Sequence, residues 1–300
     1  MNKIAITTGD RFGIGKEVLI GALNFLQIPR EQVVIVGDNT GLPYPHVIIN
    51  ELDNGAFCYK SLTAAAQLAQ NGDVSAIVTA PISKEAINSS GYKYSGQTEI
   101  LEEFLSDGEE KAEMLFIAED LRVMLLTRHI ALKDVTNCVT IEDTIEKTKR
   151  LHKFLVEYEG IKNPKIAFCA FNPHIGDNGL FGDEDDKILI PAIQKMQSEG
   201  LDVVLPQSAD ALFGKIGKKY LNSEPQEYDA IISIYHDQAL CAVKAIAFDE
   251  VVNTTIGLKV IRTSPSHGSA YDIAGKGIAD CSSMKEAIKL ALRLKKGVHV

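Results

Sequence analysis

Short β-rich runs alternate with longer helix-patterned segments along the whole chain, and this alternation constrains the fold more than any other feature. Strand patterns fall at Lys3–Thr8, Gln32–Gly37, Val74–Ala80, Met114–Ala118, Arg122–Thr127, Lys165–Ala170, Leu201–Leu205, Ala230–Ile234, Val251–Thr255 and Lys259–Arg262. Helical spacing covers Lys16–Gln27, Tyr59–Asn71, Glu99–Leu105, Ile141–Tyr158, Asp185–Ser198, Gln238–Ala245 and Ser283–Lys295. Such alternation predicts βαβ units around a mainly parallel sheet, an α/β fold. Near-continuous apolar stretches such as Ala76-Ile77-Val78 predict strands covered on both faces. The last helical segment puts Met284, Ala287, Ile288 and Ala291 on one face and turns Lys285 and Lys289 away from it.

A chain of 300 residues is long enough for two lobes or one large α/β domain. No Pro- or Gly/Ser-rich linker and no repeat divides it. The formal net charge is -9, with the acids scattered. That disfavours nucleic acid and anionic membranes as partners, since both reward basic patches. No apolar run approaches the ~20 residues of a membrane-spanning helix, and Met1-Asn2-Lys3-Ile4 leads directly into a strand without a cleavage pattern. A cytoplasmic protein is the expectation. The five cysteines form no C-x-x-C pair and read as reduced, buried thiols.

Polar clusters fall at strand ends, where open α/β sheets bind ligands. Thr8-Gly9-Asp10, Thr79-Ala80-Pro81, Arg128-His129, Asn172-Pro173-His174 and Tyr235-His236-Asp237 all sit there. His129, His174, His236 and His267 each follow a strand, whereas His46, His152 and His299 read as structural or solvent-facing. Imidazoles converging from separate strand ends suit a divalent ion such as zinc, cobalt or nickel. Each one alone reads more readily as a turn cap or a partner of the backbone, and only three at corresponding strand ends bring the two readings level. The glycine loop Gly9–Glu17 lacks the dinucleotide spacing, and Asp10 would repel a phosphate, so it reads as a tight turn opening a helix. The loop from Arg262 to Gly277 is rich in hydroxyls and backbone donors and could cradle a phosphate or an adenine ribose. Lys84 and Lys244 either snorkel or meet an anion or serve as a base. Arg262 can pair bidentately with a phosphate or carboxylate.

Taken together, Gly13-Ile14-Gly15, Thr79-Ala80-Pro81-Ile82-Ser83-Lys84, Gly96-Gln97-Thr98-Glu99, Asn172-Pro173-His174, Tyr235-His236-Asp237-Gln238, Asn253-Thr254-Thr255-Ile256-Gly257-Leu258, Arg262-Thr263-Ser264 and His267-Gly268-Ser269-Ala270 resemble, in order, the 4-hydroxythreonine-4-phosphate dehydrogenases. The resemblance implies two α/β/α lobes with mainly parallel sheets and a central cleft, like isocitrate and isopropylmalate dehydrogenases. Residues 1–127 with 260–300 would form one lobe and 128–259 the other. It implies a homodimer with a shared active site, and a divalent metal on His129, His174 and His236, with zinc, cobalt, magnesium and manganese all open. It implies substrate contacts from Gln97, Thr98, Lys244, Asn253 and Arg262. The implied reaction, in pyridoxal phosphate biosynthesis, is NAD-linked oxidation and decarboxylation of 4-phosphohydroxy-L-threonine to 3-amino-2-oxopropyl phosphate, with NADP also open. Asp237, Lys84 and a metal-bound water are candidates for the group that takes the hydroxyl proton.

Three positions depart from the family pattern. Gln97 stands where the family usually has histidine, Arg11-Phe12 where it has Pro-Ala, and Ile175-Gly176-Asp177-Asn178 where it has Ala-Gly-Glu-Gly. The stretch Gly41–Gly55 also reads as trimmed. These departures raise two alternatives: a paralogue acting on another 4-phosphorylated hydroxy acid, such as threonate 4-phosphate, or a non-catalytic metal- or nucleotide-binding relative.

Overall fold

The computed structural model describes residues 3–106, 108 and 110–294. In chain order its elements are β1 (Ile4–Thr7), α1 (Gly15–Leu26), β2 (Val33–Gly37), β3 (His46–Ile48), α2 (Asn54–Gln70), β4 (Ala76–Thr79), α3 (Lys84–Ser89), α4 (Gln97–Leu105), β5 (Glu113–Ala118) and β6 (Leu121–Leu125). There follow α5 (Val135–Cys138), α6 (Ile141–Glu157), β7 (Ile166–Phe168), α7 (Ile190–Ser198), α8 (Ala209–Leu221), β8 (Ala230–Ser233), α9 (His236–Ala247), β9 (Val252–Ile256), β10 (Ile261–Pro265) and α10 (Ser282–Arg293). The architecture is the expected mixed, mostly parallel α/β.

The described residues form two compact units, one of residues up to Ala112 together with those from Val252 onward, and one of Glu113–Val251. In the first, strands run in the order β3-β2-β1-β4-β10-β9, and only β9 is antiparallel to its neighbour β10. In the second the order is β5-β6-β8-β7, with β5 antiparallel to β6 and the rest parallel. The expected divisions at 127/128 and 259/260 therefore move. The hairpin of β5 and β6 goes with β8, to which β6 is hydrogen-bonded, while β9 pairs with β10.

Each unit has its own core. Val34, Val36, Ala65, Ile77 and Leu101 pack together in the first, and Phe116, Val123, Leu212, Ile231 and Val243 in the second. The strands are buried on both faces, as their continuous apolar runs require. On α10 the predicted apolar face is buried, with Met284, Ala287, Ile288 and Ala291 each no more than 1% exposed. Burying Met284 and Ile288 contributes about 1.5–3 kcal/mol each.

Several elements differ from the sequence expectation for identifiable reasons. Leu201–Leu205 is not a strand: it makes only a single bridge, Val203 to Ile166, and Pro206 after it has no N–H for a ladder. Helix α8 carries Gly214 and Gly217 in its interior, which masks it in the sequence. Gly217 lets α9 pack closely there, since a Cβ would lie 3.2 Å from the Ile246 side chain, which would have to shift by a few tenths of an ångström. Helix α2 starts five residues earlier than its apolar pattern, because the Asp53 carboxylate accepts from Ala56 N at 2.8 Å and caps it. Strand β3 is only three residues long and lies at a sheet edge. Among the described residues no helix is long and apolar enough to cross a membrane.

Candidate active site

The first unit builds a pocket of hydrogen bonds around one guanidinium. Arg262 on β10 pairs with Ile77 of β4 and Thr255 of β9, and its side chain is 4% exposed. Its Nε donates to Thr79 Oγ1 at 2.8 Å, Nη1 to Thr255 Oγ1 at 3.5 Å and Nη2 to Gln97 Oε1 at 3.1 Å. All three acceptors are neutral. No carboxylate makes a salt bridge with Arg262 among the described residues, and burial pulls the guanidinium down to about 10 against the opposing field of Glu99. It is thus a buried cation with no carboxylate in direct contact and only the nearby field of Glu99 to offset its desolvation, an arrangement that an anionic ligand would complete.

Other candidates surround the same strands. Thr98 is buried in the first turn of α4. The Asn253 side-chain oxygen is buried without a hydrogen-bond partner among the described residues. Lys84 opens α3, which Ser83 caps by accepting from Ala86 N at 3.0 Å. Its ammonium lies beside Gly96, immediately before Gln97.

The loop after β1 is structural, as its spacing predicts. Asp10 is 1% exposed and accepts from Phe12 N, Asn54 Nδ2 and Tyr271 OH at 2.7–2.9 Å. Arg11 forms a salt bridge with Asp38 at 3.0 Å, donates to the carbonyls of Ile49 and Glu51, and stacks on the Phe57 ring at 3.7 Å. It therefore clamps the short segment joining β2 to α2. The polar loop begins at Ser266 rather than Arg262, because Ile261–Pro265 is strand. Part of its donor set is already occupied: Glu17 accepts from Gly275 N and Ala279 N. Beside it lies a groove of about 460 Å³ lined by Phe12, Lys16, Glu17 and Gly275. An exposed aromatic ring and a lysine suit an anionic ligand with a flat base, such as a dinucleotide.

The second unit brings two of the three expected histidines together. The rings of His129, past β6, and His236 have centroids 5.5 Å apart. Two imidazoles bound to one ion at about 2.1 Å would place their centroids ~5 Å apart, so the pair fits a divalent cation. His236 is the first residue of α9 rather than part of a loop. Its Nδ1 lies 2.7 Å from Asp237 Oδ1. An ionised carboxylate only accepts, so Nδ1 carries the proton and Nε2 is left with its lone pair.

His174 lies in a turn of unusual backbone. His174, Ile175, Asp177 and Asn178 all have φ between 44° and 58°. Left-handed conformations cost about 1–2 kcal/mol per L-residue and are rare for a β-branched side chain. A buried carboxylate holds the turn: Asp185 accepts from Phe171 N at 2.7 Å and Asn172 N at 2.9 Å, and Asn172 Nδ2 donates to Glu184 at 2.6 Å. Burial raises the Asp185 carboxyl above its ordinary value, partly offset by those two N–H groups. Among the described residues no three His, Cys, Asp or Glu side chains form a set able to hold a metal, so His174 does not complete the pair. Lys244 lies on α9 with its ammonium 6.0 Å from the Phe248 ring.

Thr79 and Thr255 as anchors of Arg262, and Asp185 and Glu184 as supports of the Asn172–His174 turn, escape the sequence reading. Strand pairing, which brings Thr255 opposite Arg262, was the missing information. His46 is structural as expected, with Nδ1 2.7 Å from Tyr44 O and Nε2 2.8 Å from Thr40 Oγ1.

The cysteines divide. Cys58 and Cys169 are buried, and burial pushes both thiols up to about 12, but Cys138 and Cys241 are exposed and Cys281 is partly so. The expectation of uniformly buried thiols is corrected: a small side chain at a helix end or on an outward helix face is compatible with either environment. Under native conditions a thiol reagent should label Cys138 and Cys241 rapidly. Cys58 and Cys169 should react only at the rate of unfolding, a contrast read by mass spectrometry of timed digests.

The family model described as pyridoxal phosphate biosynthetic protein PdxA matches residues 23–291. The 4-hydroxythreonine-4-phosphate dehydrogenase of Geobacter metallireducens is 43% identical over 241 residues, which is 80% of this chain and 68% of that protein. An Oceanobacillus iheyensis protein, provisionally named a D-threonate 4-phosphate dehydrogenase, is 33% identical, with 97% of each chain covered. The crystal structure of 4-hydroxythreonine-4-phosphate dehydrogenase from Klebsiella pneumoniae superposes with a TM-score of 0.82 at 30% identity, covering 97% of this chain and 99% of that one. With the match spanning nearly all of both units, the chain belongs to the PdxA family of pyridoxal phosphate biosynthetic proteins.

Proposed function

We propose that the protein is a metal-dependent, NAD-linked dehydrogenase that oxidises and decarboxylates 4-phosphohydroxy-L-threonine to 3-amino-2-oxopropyl phosphate. One observation carries the substrate class: Arg262 is a buried cation whose protein partners are all neutral, so an anionic substrate group is its natural counter-ion. In this reading Arg262, Thr98, Asn253 and Lys244 hold the phosphate and carboxylate, and Gln97 belongs to the site through its hydrogen bond to Arg262. The family's named dehydrogenases support the redox chemistry.

A divalent ion held by His129 and His236 would supply a Lewis acid that lowers the pKa of the substrate hydroxyl and stabilises the charge released as CO₂ departs. His174 is the third ligand that the family resemblance implies, although it does not join the pair in this structure. The groove beside Phe12 and Lys16 is proposed as the seat of NAD, which would supply the hydride acceptor for the hydroxyl carbon, with NADP left open. Of the two residues proposed for proton transfer, Asp237 already engages His236, so we assign it the role of holding that ring. Lys84, at the start of α3 and able to act only in its neutral amine form, and a metal-bound water are the remaining candidates to take the hydroxyl proton. The family resemblance further supports a cytoplasmic homodimer with a shared active site.

A second reading has its own support. A relative of 33% identity carries the provisional name of a D-threonate 4-phosphate dehydrogenase, and Gln97, engaged by the protein at both ends, replaces a histidine of the family pattern, which supports D-threonate 4-phosphate as the alternative substrate. The test is NADH formation by purified protein with each of the two substrates, before and after chelation, followed by adding back zinc, cobalt, magnesium or manganese in turn. The proposal expects turnover of 4-phosphohydroxy-L-threonine that chelation abolishes and a metal restores. Turnover of the threonate ester alone would establish the second reading. Turnover that chelation leaves untouched, or none with either substrate, would refute the metal-dependent dehydrogenase.

A further inference from the structure

Gln97 is held at both ends. Its Nε2 donates to Ala80 O at 3.1 Å, and its Oε1 accepts from Arg262 Nη2 at 3.1 Å. A backbone carbonyl only accepts and a guanidinium only donates, so the amide has one consistent orientation. The result is a short relay from the end of β4, through the first residue of α4, to the arginine of β10. Three of the five N–H groups of Arg262 are thereby fixed on Thr79, Thr255 and Gln97, and two remain for a ligand.

The residue type matters as much as the geometry. Three charged groups face this turn: Arg262 from β10, Lys84 from α3, and Glu99 from α4 itself. An amide offers an accepting oxygen at one end and a donating NH₂ at the other while adding no charge at any pH. A glutamate would form an ion pair with Arg262 and cancel the charge meant for a ligand. A histidine could accept from the guanidinium only while neutral, and below about pH 6.5 it would become a second cation against the first.

From this we infer that Gln97 is a positioning residue that acts on the substrate only through Arg262, fixing the guanidinium for an incoming oxyanion and keeping the charge of that anion seat constant with pH. The inference rests on the proposed role of Arg262 as the contact to a phosphate or carboxylate of the substrate. It differs from direct substrate binding by Gln97, in which the amide itself would touch the ligand.

The test uses the full-length protein and the variants Gln97→Met, Gln97→Glu and Gln97→His, with two readouts. The first needs no substrate. In protein labelled with ¹⁵N-arginine, the Nη signals of Arg262 should be resolved in the parent, where hydrogen bonds hinder rotation, and should broaden in Gln97→Met. The second is the pH profile of KM and kcat with 4-phosphohydroxy-L-threonine and D-threonate 4-phosphate. Gln97→Met should raise KM about tenfold with little change in kcat, the effect of loosening one charge-assisted hydrogen bond. Gln97→Glu should raise KM further at every pH. Gln97→His should add a step in KM at about pH 6.5, seen as a pH-dependent ratio of variant to parent KM, since the second ionisation of the substrate phosphate at about pH 6 affects both alike. Unchanged Arg262 signals and unchanged KM in Gln97→Met overturn the inference, as does a Gln97→His profile parallel to the parent's. Should Gln97→Met not fold, the Gln97→Glu and Gln97→His profiles decide alone. If the Arg262 signals respond as expected but neither substrate is turned over by the parent, the relay stands and the dehydrogenase reading fails.

Discussion

Replacing Arg262 with methionine should weaken binding of the phosphorylated substrate on the order of a hundredfold or more, while leaving the melting temperature of the ligand-free protein nearly unchanged or slightly higher. The two effects have opposite physical origins. Ligand binding loses charge-assisted hydrogen bonds from the two N–H groups that face no protein partner, each contributing about 1.5–3 kcal/mol. Stability loses much less. A cation whose pKa falls on folding, here to about 10, is held at a cost near neutral pH, because it stays protonated yet has left water without gaining a carboxylate. Methionine removes that cost and keeps the stem packed. Against this stand the hydroxyls of Thr79 and Thr255 and the Gln97 amide, which lose a donor, and hydroxyls can rotate to other acceptors. Lysine at the same position keeps the charge but not the fork, so about a tenfold loss of affinity is expected. The checks are KM, or calorimetric Kd for the substrate, beside the thermal midpoint without ligand. A methionine variant that melts many degrees lower while binding substrate normally would show Arg262 to be a structural cation, and the anion-seat reading would be lost.

The parts of the molecule that were legible in the sequence are those set by local pattern. Continuous apolar runs predicted β1, β2, β4 and β8, and helical spacing predicted α1, α6 and α10, because each depends on residues adjacent in the chain. What the sequence hid depends on partners far away. Gly217 looks like a helix breaker until Ile246 is known to press against it. The same holds for the site. Arg262, Gln97 and the histidines were recognisable as residue types at strand ends. That Arg262 would meet Thr79 across 183 positions of chain and Gln97 across 165 is a consequence of β4 and β10 being neighbours. Gln97 stood out as a departure from the family pattern, but the relay it forms required the position of Ala80 O. The left-handed run through His174 and Ile175 was equally hidden, since isoleucine is among the last residues that local preference would place there.

Alanine in place of His236 should lower kcat/KM by about three orders of magnitude, and asparagine in place of Asp237 by about ten- to a hundredfold, both in parallel with the loss of divalent-metal affinity. The larger figure follows from losing one of two neighbouring imidazoles, and with it several kcal/mol of Lewis-acid stabilisation. The smaller is the usual effect of removing the group that orients a metal-binding histidine. Asp237 is far too exposed for its charge to matter much, with 77% of its side chain open to solvent, so screening leaves it little Coulombic effect on the ring. Its influence is directional. At 2.7 Å from Nδ1 it fixes the proton there and leaves Nε2 as a ligand. Asparagine is nearly the same size but can turn an N–H toward Nδ1, which moves the ring proton to Nε2 and blocks coordination. Metal titration of the three proteins, beside their rates with a saturating metal, separates the outcomes. If Asp237→Asn loses affinity but regains its rate at saturating metal, Asp237 acts by orienting the ring, whereas a rate that stays low with the site full would mean that Asp237 takes part in proton transfer itself. Parent-like metal binding in His236→Ala would remove His236 from the ligand set and leave the pairing with His129 without a chemical purpose.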